Sequence, residues 1–353
     1  MVEKIRQWLN ESLKLDTALS FLHHKQVPQH KHSFWYLFGG LTLFFFVIQM
    51  LSGMLLLVYY SPTPETAYES MVQIMTAVPF GWLIRSVHKW SANLMVISMF
   101  LHLASTFFMR AYRKPRELMW MSGVAQLFLV LGFAFTGSLL PWDTFGYFAT
   151  QIGTEIPRSI PLVGEAVVAL LRGGDFVDGD SLKRLFALHV SILPLATLVV
   201  VLFHIILNQV HGTSTPIGTQ VKKSSLPFYP NYMYRDALSW IVGFTLLFVI
   251  VLTFPVELGD KANPYASSPY GIKPEWYFLP LYQTLKILPP SIMGINSEVI
   301  VNSGVGLFST LLLLLPFLDR KGARNEKNKV LMFLGVVGIV YVVVMIVMAY
   351  IGI

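Results

Sequence analysis

Long apolar blocks alternate with short polar segments along the whole chain. The blocks cover 37–60, 94–109, 118–140, 192–207, 240–254 and 330–353. Several approach the roughly 20 residues a helix needs to cross a hydrocarbon core of about 30 Å. The pattern predicts seven membrane-spanning helices, over 34–58, 88–109, 117–139, 185–208, 236–254, 299–317 and 330–351. Asn302, Ser303 and Gly304 interrupt the sixth and leave its start open. Ahead of the first span, Val2, Ile5, Trp8, Leu9 and Leu13 recur at helical spacing opposite Lys4, Arg6 and Lys14. That spacing suits a helix lying in the membrane interface. A solvated helix packed on a partner is the alternative. No apolar stretch and cleavage site of a signal peptide follow these charges.

Composition supports the membrane assignment. The 353 residues are 54% hydrophobic and 13% charged, where a soluble chain carries about 25% charge. The fold class is therefore all-α, a polytopic membrane protein. With no cysteine in the chain, there is no thiolate for an iron–sulfur cluster, a zinc site or a c-type haem.

The net charge of +7 is unevenly placed. Seventeen of the 26 Lys and Arg fall in the N-terminal arm and in the second, fourth and sixth connections, including Lys4, Arg110, Arg113, Lys222, Lys223, Arg235, Arg320 and Lys327. Those are the segments that share one side of a seven-span chain. The positive-inside rule puts them, and the N-terminus, in the cytoplasm. The charge is thus a topology signal, and nucleic acid has no part in it. The outer connections 140–184 and 255–298 are the longest, where function tends to concentrate.

Four of the nine histidines lie within spans: His88 and His102 on the second, His189 and His204 on the fourth. Spacings of 14 and 15 residues correspond to about −40° and +60° on a helical wheel, so each pair keeps to one face. The two helices run the same way. His88 and His189 therefore share a level near the outer surface, and His102 and His204 one roughly 21 Å deeper. Buried ionisable groups need partners, and imidazole is a common axial ligand of b-type haem. Two matched levels predict two stacked, non-covalent b haems. The alternative is four separately hydrogen-bonded histidines of a transporter.

Gly39 and Gly53 on the first span, and Gly123 and Gly137 on the third, repeat the 14-residue spacing. A residue without a side chain lets a porphyrin face approach the backbone; small-residue helix packing is the alternative. Pro194, between the two ligands of the fourth span, is expected to kink it. Arg85, one turn before His88, is placed to pair with an outer haem propionate or to sit as an interfacial arginine.

At this point the motifs GWLIRSVHKW at 81–90, KPREL at 114–118, GSLLPWD at 137–143, LKRLFALH at 182–189 and PEWY at 274–277 resemble cytochrome b of the Rieske/cytochrome b complexes. These oxidise quinol and pass electrons to a c-type cytochrome or plastocyanin. The 15-residue histidine spacing resembles the chloroplast and cyanobacterial branch. There the four-helix haem part and the three-helix part are usually separate polypeptides; here they are joined through 209–235. The chain also ends after seven spans where the mitochondrial type has eight. That branch carries a cysteine near the start of its first helix that tethers an extra haem. Around 36–38 this chain has none, which excludes a covalent third haem and leaves a non-covalent one open. Ser105 stands where that branch has an arginine, so the resemblance assigns no propionate partner there.

Quinol oxidation releases protons, and a partly buried carboxylate in an apolar cleft suits their acceptance. Glu275 is the candidate, and the resemblance implies the same role; an interfacial glutamate is the alternative. Pro274, Trp276 and Tyr277 would wall the pocket. The connection 142–184, with short helices expected at 144–152 and 162–171, would complete it through Tyr147 and Gly146. Arg184 is expected to anchor that loop or face the outer haem region. A second, inner quinone site is expected among Asn208, Gln209, His211, Lys222, Lys223, Arg235 and Asp236. His23, His24, His30 and His32 read as a wet interfacial segment, since their spacing is not that of a metal site.

Four parts are expected: an interfacial arm at 1–33, a haem-binding four-helix bundle at 34–210, an inner loop at 211–235 and a three-helix part at 236–353. The reading is an electron-bifurcating cytochrome b subunit in a bacterial cytoplasmic membrane. Its partners would be a Rieske iron–sulfur protein, a c-type cytochrome or soluble acceptor, quinone, lipid and a second copy of itself. A di-haem anchor of a quinone-linked dehydrogenase needs only the first four spans. A haem-free transporter needs a midplane polar site.

Overall fold

The structure is a computed structural model that describes residues 1–353 apart from 15–19, 21–23, 219–224, 325, 327 and 353. His23, Lys222, Lys223 and Lys327 thus lie outside the described residues.

Helix α1 (Val2–Leu13) forms the arm, and a 3-10 turn (Ser33–Tyr36) leads into α2 (Leu37–Leu57). Short α3 (Ala67–Thr76) precedes α4 (Gly81–Met109) and α5 (Glu117–Ser138). The next connection holds α6 (Thr144–Glu155) and α7 (Gly164–Arg172), near the two places expected for short helices. Then come α8 (Gly179–His211) and α9 (Met233–Thr253), followed by α10 (Leu279–Ile287) and α11 (Ser297–Leu313). Single turns α12 (Leu315–Leu318) and α13 (Arg320–Ala323) lead to α14 (Lys329–Ile351). Two-residue strands make two small antiparallel pairs, Gln26–Val27 with Leu226–Pro227 and Ser291–Ile292 with Ile295–Asn296.

Six helices are long and apolar enough to cross a membrane among the described residues. The sixth expected span, α11, has 17 residues and is shorter than these. It ends at Leu314 and restarts with Pro316 in the first turn of α12, where the missing proline N–H does no harm. The expected interruption at Asn302, Ser303 and Gly304 does not occur: α11 runs through all three. Asn302 is buried and donates to the Ile156 carbonyl (2.7 Å) and Ser159 Oγ (2.6 Å). A polar residue in this apolar stretch therefore marks a contact between elements.

Two spans start earlier than the hydropathy boundary. α4 begins at Gly81, after Phe80 in a left-handed conformation (φ 60°). α8 begins at Gly179, where the Asp178 carboxylate accepts from the Asp180 and Ser181 amides and Ser181 reciprocates. Such a capping box satisfies amides that the first turn leaves free. Both helices thus rise past the apolar zone as amphipathic turns.

The connections gather at two ends. At the arm end, strand Gln26–Val27 pairs with Leu226–Pro227. There Arg113 donates to the Thr215 carbonyl (2.7 Å), Arg116 to the His211 carbonyl (2.8 Å) and Arg110 to the Glu326 carbonyl. At the opposite end, Asp143 bridges to Lys261, Tyr68 donates to the Gly259 carbonyl (2.9 Å) and Tyr60 to that of Leu140 (2.7 Å). This is the alternation that charge predicted. Between the ends, α2 packs along α4 and α5 along α8, with α9 against α2 and α4. Phe45, Met95, Val96, Met99, Leu127, Val130, Leu247 and Val251 form the shared core. The outward apolar side chains of α8, α9 and α14 stay exposed, as lipid-facing surfaces do.

Candidate functional site

His88 and His189 face one another with ring centroids 6.3 Å apart, and His102 and His204 at 6.5 Å. Their ring planes are turned by 71° and 77°. Two metal–imidazole bonds of about 2 Å each, with two half-widths of the rings, span such a gap. Each pair therefore fits one iron. The 15-residue spacing on α8 is accommodated by a π-helical turn, Leu188–Ile192, that contains His189 and ends just before Pro194. A π turn takes in one extra residue, so both α8 histidines stay on one face.

All four glycines lie against these rings. A Cβ would come within 3.1 Å of His102 at Gly39 and 3.2 Å of His88 at Gly53. At Gly123 it would lie 3.5 Å from His204, and at Gly137 2.7 Å from His189. The first span thus serves the α4 histidines and the third serves those of α8, one glycine per ligand.

Sequence reading missed the groups that orient the rings. Ser52 Oγ lies 2.9 Å from His88 Nδ1, Ser122 Oγ 2.9 Å from His204 Nδ1, and Thr136 Oγ1 3.1 Å from His189 Nδ1. The backbones of Gln49, Met119 and Phe133 bond the same three histidines. These hydroxyls each precede one of the cradle glycines, a Ser/Thr-Gly signal visible in the sequence. With Nδ1 so engaged, Nε2 is left for a metal. His102 Nδ1 is buried and has no hydrogen-bond partner among the described residues.

At the end opposite the arm, Pro274, Glu275, Trp276 and Tyr277 form a turn before α10. Three bonds hold it: Glu275 is ion-paired with Lys89, the residue after His88, and Trp276 Nε1 donates to Asn93 Oδ1 (2.8 Å). Lys273 Nζ donates to the Ala349 carbonyl (2.6 Å). Glu275 is a partly buried carboxylate, and an ammonium, that of Lys89, reaches it across from α4. Burial first, then the Glu275 charge, push the Tyr277 phenol above its ordinary range.

Tyr147 is buried in a separate cluster with Trp142, Phe148, Leu182 and Leu185, which Ile272 borders. Its hydroxyl donates to the Val177 carbonyl (3.0 Å). It is not in contact with Glu275 in any bond the structure makes; Phe278, beside Tyr277 (4.9 Å) and Phe135 (6.3 Å), joins the turn to α5. Gly146, the other expected lining residue, receives the Asp143 cap (2.7 Å). Arg85 is buried and donates to the Val256 carbonyl (3.3 Å), tying α4 to the α9–α10 connection. Arg184 donates to the Leu170 carbonyl (3.3 Å), a loop anchor as expected.

At the arm end a cavity of about 340 Å³ runs from His102 and His204 to Asn208, Gln209 and Asp236. His211 does not line it; its carbonyl is bonded to Arg116. Lys25, Tyr36, Arg116 and Tyr232 line it too, none of them singled out for it from sequence except by charge. Lys25 donates to Gln209, and burial lowers its ammonium from the usual lysine range. One oxygen of Asp236 is buried with no hydrogen-bond partner among the described residues. His30 departs from the expected wet segment: it is buried and lies 2.5 Å from the Tyr36 hydroxyl, which donates to the Ser214 carbonyl (2.6 Å).

Residues 22–212 match the family described as cytochrome b/b6/petB, and 261–353 match cytochrome b(C-terminal)/b6/petD. A cytochrome bc complex cytochrome b subunit of Chlorobaculum thiosulfatiphilum is 46% identical over 339 residues, covering 95% of this chain and 78% of the relative. Cytochrome b6 of Porphyra purpurea is 42% identical over 216 residues, 61% of this chain and all of the relative. A solved structure described as hyperthermophilic respiratory Complex III superposes with a TM-score of 0.86 at 30% identity, covering 98% of this chain and 91% of that one. The chain therefore belongs to the cytochrome b family, with its N-terminal and C-terminal parts joined in one polypeptide.

Proposed function

We propose that this chain is the cytochrome b subunit of a proton-motive, quinol-oxidising complex with two b-type haems. The observation that carries the reading is the pair of facing histidine couples, each backed by two glycines, with Lys89 beside His88 paired to Glu275 and His102 and His204 lining the arm-end cavity. Family membership supports an oxidoreductase subunit with b-type haem. His88 with His189, and His102 with His204, would hold the two haems, which supply one-electron transfer across the membrane when bound.

Quinol would bind beside Glu275, walled by Pro274, Trp276 and Tyr277. Glu275 takes a quinol proton once its pair with Lys89 opens, and Trp276 and Asn93 keep the turn on α4. Arg85 would hold the outer propionate. One electron leaves to a Rieske iron–sulfur partner, since this chain has no cysteine; a c-type cytochrome or soluble acceptor follows. The other electron serves quinone in the arm-end cavity, where Asp236, Lys25 and Asn208 line the space for a quinone and its protons. In this reading the interfacial arm is 1–33, the haem-binding bundle 34–210, the inner loop 211–235 and the three-helix part 236–353, and the complex would be a homodimer in a bacterial cytoplasmic membrane with the arm inside.

Potentiometric titration of the purified complex tests this. Two b components are expected, with one lost in His88→Ala. Glu275→Gln should slow quinol oxidation by about 10²-fold or more with both components retained. An intact complex without b haem would overturn the reading.

A further inference from the structure

The four histidines are not equivalent. Three carry the same second neighbours: a Ser or Thr hydroxyl from the residue before the cradle glycine, and the backbone of the residue four before it. Ser52 and Gln49 serve His88, Thr136 and Phe133 serve His189, and Ser122 and Met119 serve His204. At the fourth position both are missing. The residue before Gly39 is Phe38, whose ring stacks on Trp35 (5.4 Å) and meets Phe34 edge-on (5.7 Å). The residue four before it, Trp35, lies in the 3-10 turn that precedes α2. Helix α2 begins only two residues before Gly39, so no full α-turn precedes that glycine. His102 Nδ1 is left buried with no partner among the described residues.

The hydrogen bond to the outer ring nitrogen governs the ligand. An imidazole that donates its second N–H is more basic and fixed in orientation, and second-neighbour hydrogen bonding is one of the means by which a protein sets a haem potential. A more basic ligand favours the ferric ion over the ferrous ion. The couple concerned is one electron added to ferric iron, with no bond made or broken and no proton moved. The electron comes from quinol at the Glu275 end and leaves to quinone at the arm end.

We propose that the unbonded His102 raises the potential of the His102/His204 level, while Ser52, Thr136 and Ser122 act as positioning residues that lower the potentials at their own ligands. The outer level has two hydrogen-bonded ligands and the inner level one. This difference favours electron flow from the Glu275 end toward the arm-end cavity. The inference rests on the two-haem reading above.

The test titrates both b components in the native complex and in Ser52→Ala, Ser122→Ala and Phe38→Ser. Ser52→Ala is expected to shift only the outer component upward, and Ser122→Ala only the inner one, with Ser52→Thr returning the outer value. Phe38→Ser, which offers His102 a hydroxyl, is expected to shift the inner component downward. Low-temperature electron paramagnetic resonance of the ferric form supplies a second readout of each ligand pair. A merely structural role would lower haem content and leave the remaining midpoints in place. Unmoved midpoints in Ser52→Ala and Ser122→Ala with haem retained would overturn the inference, whether or not Phe38→Ser assembles. Absence of b haem from the native complex would instead overturn the two-haem reading.

Discussion

Lys89 and Glu275 form an ion pair across 186 positions of sequence, and Lys89 directly follows His88. The carboxylate is mostly shielded, with its side chain 17% exposed. Together with the Trp276–Asn93 hydrogen bond, this contact ties the PEWY turn to the helix that carries the outer histidine.

That tie predicts a positioning effect. Lys89→Gln should release the Glu275 carboxylate and lower quinol turnover by roughly 10- to 100-fold, the scale of a misplaced reacting group. Both b components should remain in the spectrum, and Lys89→Arg should recover much of the rate. Steady-state assay of the purified complex measures this. An unchanged rate in Lys89→Gln would show that the pair has no part in the working site.

The glycine cradle is tightest at Gly137 and loosest at Gly123. Gly137→Ala would put a methyl 2.7 Å from His189 Cε1, whereas Gly123→Ala would reach 3.5 Å from His204, an ordinary contact. Gly137→Ala should therefore lose the outer b component while Gly123→Ala retains both. Haem content per folded complex distinguishes them. Equal loss in both variants would mean that the space belongs to the porphyrin face and not to the ligand ring.

Acid should loosen the connection between α12 and α14. Asp319 is buried, which alone would raise its proton affinity, yet bonds from Asn328 (2.9 Å) and Tyr112 (2.8 Å), with the Gly322 amide and the Arg110 charge, bring it below the ordinary value of 3.8. A carboxyl depressed on folding contributes stability that is full above its unfolded value and is lost as pH falls through the folded one. Hydrogen-exchange protection at 319–324 should fall below about pH 4, and Asp319→Asn should show that loss already at neutral pH. Exchange in Asp319→Asn equal to that of the native chain would rule the account out.

The sequence by itself determined the membrane class, the alternation of connections and the four histidines. Each rests on a local or periodic property: apolar runs that must satisfy their own backbone in lipid, charge asymmetry between connections, and 14- or 15-residue spacings. The four glycines were legible for the same reason, since they repeat the histidine period. Helix ends were less legible. α8 extends past the apolar zone because its N-cap, Asp178, and not hydropathy, decides where the helix starts.

Only the tertiary structure decided what each polar group meets. It paired Glu275 with Lys89, sank Asn302 against the α6–α7 connection, buried His30 against Tyr36 and kept His211 out of the cavity lining. It also separated His102 from the other three histidines, through the residue that happens to precede Gly39 and the late start of α2. Such contacts join positions tens to hundreds of residues apart, and a single sequence carries no period or spacing that records them.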